Sequence, residues 1–225
     1  MQFGGIQKTS LIDFPSKIAT VLFAPFCNLR CPYCHNWRLI VDPKPPFLDE
    51  EKALSILESR KKYVDAVVIT GGEPTLQNDL PRFIKKLKES GFMVKLDTNG
   101  FFPHVLEQCL PYLDFVALDV KTSLEKYPLL GAVDINNYLR SIELLKKGKV
   151  EYEFRNTVVP GFVDKEDIPK IGELVNGGKC FVFQRFIPDD TLDKSYRDVK
   201  PYPNNVILDF ANLMKRFVEN VMLRI

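Results

Sequence analysis

Three cysteines, Cys27, Cys31 and Cys34, fall within eight positions of one another, in the run Cys27-Asn28-Leu29-Arg30-Cys31-Pro32-Tyr33-Cys34. The spacing C-x3-C-x2-C puts three thiolates on one short loop. Such a loop can give one sulfur to each of three irons of a cubane cluster and leave the fourth iron without a protein ligand, open to a substrate or cofactor. The other two cysteines, Cys109 and Cys180, are isolated among apolar neighbours, so the sequence offers no fourth thiolate. A structural zinc site in a non-enzymatic protein is the alternative, with His35 as the fourth ligand. Zinc modules usually space their ligands as two separated pairs, however, and His35 directly adjoins Cys34.

Four further polar groups close or interrupt apolar runs. Gly71-Gly72-Glu73-Pro74 is a turn whose glycines let the backbone approach a ligand closely and whose carbonyls can accept from an ammonium group; it also reads as a plain tight turn. Asp97, Thr98 and Asn99 precede Gly100, and Asp119 and Lys121 alternate around Val120. Both aspartates also read as helix caps or turn formers. Arg155 is a charge inside the apolar run 151–158 and needs a partner there. A carboxylate such as Asp119 would satisfy it. No Ser/His/Asp triad or phosphate-binding loop is present, and His104 and Trp37 read as structural or surface residues.

These groups need a scaffold. Short β-branched runs at 18–23, 66–70, 93–97, 115–120, 151–158 and 180–186 predict six strands. Between them lie helical patterns, clearest at Leu80, Phe83, Ile84 and Leu87 and at Phe210, Leu213, Met214 and Phe217. Asp49 and either Asn78 or Asp79 are candidate N-caps, and Gly91 and Gly148 candidate stops. Strand and helix alternate six times, which implies parallel strands with right-handed crossovers, in an open doubly wound sheet or in a barrel or partial barrel. Either places the cysteine cluster, the glycine turn, Asp97 to Gly100, and Asp119 with Lys121 on one rim, at the C-terminal strand ends.

A chain of 225 residues with 45% hydrophobic content supports one buried core, so a single domain over residues 1–225 is expected. Charges are scattered and the net charge is +2, with no basic block to bind nucleic acid or a membrane. Neither a signal-peptide layout nor a long apolar run is present, and five cysteines with three in a cluster do not form a secreted disulfide framework. A cytoplasmic protein is expected.

With Tyr33 as the aromatic residue, the loop resembles the C-x3-C-x-(aromatic)-C signature of the radical S-adenosylmethionine superfamily, and the other motifs follow in that superfamily's order. The resemblance implies a partial (β/α)6 TIM-like barrel of the α/β class, a 4Fe-4S cluster held by Cys27, Cys31 and Cys34, and S-adenosylmethionine chelating the open iron. It implies that Gly71, Gly72 and Glu73 form the family's GGEP element beside the cofactor's ammonium. Asp97, Thr98 and Asn99 would touch its ribose or carboxylate, and Lys121 and Arg155 would also meet the cofactor. Asp97, Thr98 and Asp119 would hold a monovalent cation, since carboxylate and hydroxyl oxygens suit hard cations.

The run GGIQKTSLIDFPSKIATVLFAPFCNLRCPYCHNWRL resembles the opening of anaerobic ribonucleoside-triphosphate reductase activating proteins, a group of glycyl-radical-enzyme activases. That implies hydrogen abstraction from a glycine of a partner reductase, with flavodoxin or ferredoxin as electron donor. A pyruvate formate-lyase type activase shares every one of these motifs. No cysteine-rich insert lies between Cys34 and Gly71, and no glycyl-radical loop is present. The charged, proline-bearing segment 189–203 reads as a mobile rim loop.

Overall fold

Each of the six apolar runs forms a strand in the computed structural model, which describes residues 1–225. Contacts gather the chain into two units. One comprises Met1–Asn28, Asn36–Thr98 and Phe102–Val116, the other Leu29–His35, Asn99–Phe101 and Ala117–Ile225.

The first unit contains β1 (Gln2–Phe3), β2 (Gly5–Ser10), β3 (Ala19–Ala24), α1 (Arg38–Val41), β4 (Leu48–Asp49), α2 (Glu50–Arg60), β5 (Ala66–Gly71), α3 (Leu80–Glu89), β6 (Met93–Thr98) and α4 (Pro103–Cys109). Its main strands run in the order β2-β3-β5-β6. Strands β3, β5 and β6 are parallel, with Ala24 opposite Gly71 and Val68 opposite Lys95, so the residues that end β3 and β5 come level. Phe14, Ala19, Val21, Ala66 and Val68 pack into one core cluster. Helix α3 buries Leu80, Phe83, Ile84 and Leu87, the stripe that the sequence spacing predicts. The Asp49 carboxylate caps α2 by accepting from Lys52 N, while Asp79 precedes α3 without a capping bond. Gly91, at φ +84°, turns the chain out of α3.

Strand β7 (Phe115–Asp119) begins in the first unit and ends in the second. The second unit continues with α5 (Ile135–Lys147), β8 (Glu151–Val158), α6 (Asp167–Leu174), β9 (Gly178–Arg185), α7 (Asn204–Met214) and β10 (Val218–Arg224), the last four strands running in the order β7-β8-β9-β10. Gly148 ends α5, as its position suggested.

The sequence reading missed β1, β2, β4 and β10. Strand β2 is antiparallel to β3 and mostly exposed, with the polar sequence GIQKTS, and β10 mixes Glu219 and Arg224 with its apolar residues. Edge strands of this kind carry charge and lack the apolar run of a central strand. Arg224 holds β10 in place with a two-pronged pair to the buried Glu153, Nη1 to Oε1 at 2.9 Å and Nη2 to Oε2 at 2.7 Å.

Phe83 is fully buried and its ring lies 5.1 Å from that of Phe3. Phe83→Ala is expected to lower the unfolding free energy by about 3–5 kcal/mol in urea titrations, whereas Lys85→Ala, on the exposed face of the same helix, should change it by no more than about 0.5 kcal/mol.

Candidate functional site

In the first unit the glycine turn is laid directly on the residues that precede Cys27. Gly72 N donates to Ala24 O at 2.8 Å and Glu73 N donates to Phe26 O at 2.7 Å. A Cβ on Gly72 would stand 1.9 Å from Phe26 O, and one on Gly71 would stand 2.5 Å from the backbone of Ala24, so no side chain fits at either position. Phe26 itself lies at φ +66°, the left-handed region, which costs a non-glycine residue about 1–2 kcal/mol. Asn36 Nδ2 donates to Gly71 O at 3.0 Å and pins the turn from a second side. Asn36 was not among the expected site residues, although it directly follows His35 in the CHN run.

Glu73 is almost completely buried. Its Oε1 accepts from Thr75 N at 3.1 Å, Thr75 Oγ1 at 2.5 Å and Thr98 Oγ1 at 2.7 Å. The carboxylate therefore ties the glycine turn to the end of β6. On β6, Asp97 shares a face with Lys95, whose Nζ is 2.7 Å from Asp97 Oδ1.

In the second unit Cys31 is buried and Cys34 partly exposed, joined in a turn by Cys34 N donating to Cys31 O at 3.1 Å. The Tyr33 ring is enclosed by Phe162, Phe186 and Tyr196, with ring centres 5.3, 6.4 and 6.3 Å away. Burial pushes the Cys31 thiol up to about 11, with Lys121 and a hydrogen bond from Tyr33 acting the other way. Cys31 is thus a protonated thiol at neutral pH. His35 Nε2 bonds Ile187 O at 2.9 Å, which directs that nitrogen to a backbone carbonyl. Cys109 is fully buried and Cys180 lies on β9.

Segment 189–203 is fastened to the cysteine loop. Leu192 N donates to Cys34 O at 3.1 Å and Asp193 N to Pro32 O at 2.8 Å, while Tyr196 packs on Tyr33 and Phe162. The charges that made this segment read as mobile are partly used within it, Arg197 Nη2 meeting Asp190 Oδ1 at 2.8 Å.

Asp119, at the end of β7, receives two cations, Arg155 Nε on Oδ1 at 2.8 Å and Lys121 Nζ on Oδ2 at 3.1 Å. Burial alone would raise its carboxyl, but Arg155 and then Lys121 hold it down at about 2. Tyr138 OH donates to Asp119 O at 3.2 Å, and Tyr127 OH accepts from Lys121 N at 3.1 Å. The Phe101 ring stacks 5.2 Å from that of Tyr138. Asn99 Oδ1 accepts from Phe101 N at 3.2 Å, closing the turn after β6. The ion-pair explanation for Arg155 is the one seen in the folded chain. None of these tyrosines was singled out from sequence.

The model of the radical SAM superfamily matches residues 21–175, which is most of the chain. The chain belongs to the radical SAM superfamily. It is similar over 98% of its length, at 36% identity, to a Methanocaldococcus jannaschii protein named as a glycyl-radical enzyme activating enzyme, covering 94% of that protein. It is 31% identical to the pyruvate formate-lyase-activating enzyme of Staphylococcus aureus, over 76% of this chain and 74% of that one. Within the superfamily it therefore groups with the glycyl-radical-enzyme activating enzymes. Among solved structures, TYW1 with a lysine-pyruvate adduct superposes with a TM-score of 0.66 at 19% identity, over 88% of this chain and 73% of that one. That likeness concerns the fold, an α/β fold with a parallel sheet, in keeping with the expected partial (β/α)6 barrel.

Two outcomes test the geometry of this radical SAM chain. Gly72→Ala should prevent the turn from seating on Phe26 and lower the thermal midpoint by several degrees, about 4 °C or more for a loss above 2 kcal/mol; an unchanged midpoint would contradict the close approach. Asp119 has its folded value depressed from 3.8 to about 2, so its contribution is present above about pH 4 and is lost as pH falls toward 2. Asp119→Asn should flatten the decline of stability with acid by up to about 2 kcal/mol across that window, read by urea titration at each pH.

Proposed function

We propose that the chain activates an anaerobic ribonucleoside-triphosphate reductase by drawing a hydrogen atom from one of its glycines, using a 4Fe-4S cluster and S-adenosylmethionine. The observation that carries the cofactor reading is the glycine turn seated on Ala24 and Phe26, immediately before Cys27. It brings two motifs 44 positions apart, Cys27 and Gly71, to neighbouring strand ends.

The donor set fits an iron-sulfur group. Cys27, Cys31 and Cys34 lie on one loop and form no disulfide, and soft thiolates suit iron-sulfur clusters. Cys31 is a buried, protonated thiol, so taking up a metal there would release its proton. When both groups are bound, the chemistry supplied is one-electron cleavage of S-adenosylmethionine to methionine and a 5'-deoxyadenosyl radical. Tyr33, walled in by aromatic rings, keeps water from the buried side of Cys31. Gly71, Gly72 and Glu73 present a backbone edge to the cofactor's ammonium, with Glu73 and Asn36 holding that edge rigid. Asp97, Thr98 and Asn99 serve the ribose or carboxylate side. Lys121 and Arg155 offer N–H donors to the carboxylate while Asp119 fixes their positions.

The partner reading is supported by the run at residues 3–37, and the likeness to the M. jannaschii protein supports the activase class. The similarity to a pyruvate formate-lyase-activating enzyme favours a second reading, in which that lyase is the partner. Flavodoxin or ferredoxin is the proposed electron donor. The five free cysteines suit a reducing, cytoplasmic setting, and no helix is long and apolar enough to cross a membrane.

The test is anaerobic iron-sulfur reconstitution, reduction with dithionite, and assay of 5'-deoxyadenosine with and without each candidate partner. A glycyl radical signal on the reductase and none on the lyase is the expected result; the reverse would transfer the assignment to the lyase. Cys31→Ala should fold yet bind no cluster and form no 5'-deoxyadenosine. Turnover in that variant would remove the loop from the mechanism.

A further inference from the structure

Lys95 is a charge that neither the motif reading nor the activase reading uses. Its side chain is only 3% exposed and that of Asp97 only 9%, and their charged atoms lie 2.7 Å apart. The two residues alternate on β6 and so project to one face. Taking an ammonium out of water costs several kcal/mol unless a counter-charge is held in good geometry, and no general gain in stability explains placing one in a strand whose neighbouring residues Val94 and Leu96 are fully buried. Its partner is one of the carboxylates that the sequence assigned to a bound monovalent cation.

We propose that the Lys95 ammonium is the fixed counter-cation of Asp97, in the role expected of a free potassium or sodium ion. An ammonium group is close to potassium in size and equal to it in charge, and Lys95 Nζ stands 2.7 Å from the carboxylate that would ligate the metal. With Lys95 in place the charge of Asp97 is balanced one for one, and a second cation would meet repulsion without a free negative charge to offset it. The other expected aspartate is treated in the same way within its own unit, since Asp119 is paired with both Lys121 and Arg155. Each carboxylate is met by covalently attached cations within its own unit, and neither fits a further monovalent metal ion. The chain has built the cation in, and Lys95 acts as a positioning residue that keeps the Asp97 carboxylate oriented.

The link from Asp97 to the cofactor rests on the function proposed above, whereas the ion pair does not, and two readouts keep their failures apart. The first is the thermal midpoint of the protein without cofactor at equal ionic strength in sodium, potassium, ammonium or tetramethylammonium chloride, the last being too large to enter a cation site. The second is titration of S-adenosylmethionine into the reconstituted protein in the same salts. Wild type should show the same midpoint within about 2 °C and the same affinity within about twofold in all four. Lys95→Ala should bind S-adenosylmethionine about tenfold more weakly in tetramethylammonium and recover in potassium or ammonium, which enter the vacated place. A several-fold loss of wild-type affinity in tetramethylammonium would show that a mobile cation is needed and overturn the proposal. So would a Lys95→Ala protein that matches wild type in every salt. If Lys95→Ala does not fold, the wild-type comparison decides the matter, and the Lys95→Met, Asp97→Asn pair removes both charges while keeping their shape. Failure of wild type to bind S-adenosylmethionine in any salt would sink the proposed function and leave the midpoint test of the ion pair standing.

Discussion

The carbonyl oxygen of Phe26 and the α-carbon of Gly72 approach so closely that a β-carbon has nowhere to go. This contact depends on the parallel register of β3 and β5, which places Ala24 opposite Gly71 and lets both strands release their chains at the same level. The loop that follows β3 carries the cysteines, and the turn that follows β5 carries the glycines. Phe26 is held in a left-handed conformation beside Cys27, and the hydrogen bond from Glu73 N to Phe26 O offsets part of that cost. Glu73 then extends the arrangement to β6 through Thr98. Three strand ends in one unit are thus joined through a single buried carboxylate and a backbone contact.

Charge is distributed by a second rule. Asp97, Asp119 and Glu153 each lie where water is scarce, and each is met by a cation: Lys95 on the same strand, Lys121 just past the strand end with Arg155 on the adjacent strand, and Arg224 two strands away. Apolar residues of equal volume would stabilise such places as well or better. What these pairs supply is direction. A carboxylate held between two cations is oriented by both, and the hydrogen bond from Tyr138 OH to the backbone oxygen of Asp119 fixes the strand end that carries it.

Much of this was legible in the residues. The six central strands and the α3 stripe have the apolar periodicity that such elements require, and the cysteine and glycine motifs were visible because their residue types are restrictive. The edge strands were not, since GIQKTS and VENVMLR have no period to betray them. Asn36, Thr75, Tyr127 and Tyr138 were invisible for another reason. Their roles come from contacts with residues distant in sequence, and an isolated asparagine or tyrosine gives no sign of which carbonyl it will meet. The anchorage of segment 189–203 was hidden as well, because its bonds to the cysteine loop come from the backbone N–H groups of Leu192 and Asp193, which no side chain announces.

Those two bonds join parts of the chain roughly 160 residues apart, so the cysteine loop leaves a ribosome well before the segment that covers it. Until residues 192 and 193 have been made, the carbonyls of Pro32 and Cys34 face solvent and Tyr33 lacks the ring of Tyr196 beside it. The order of synthesis therefore divides the life of the cysteine loop into an early open period and a later covered one. Whatever reaches the loop during the first meets it uncovered, and whatever arrives after release meets a loop already overlaid by residues 192–196.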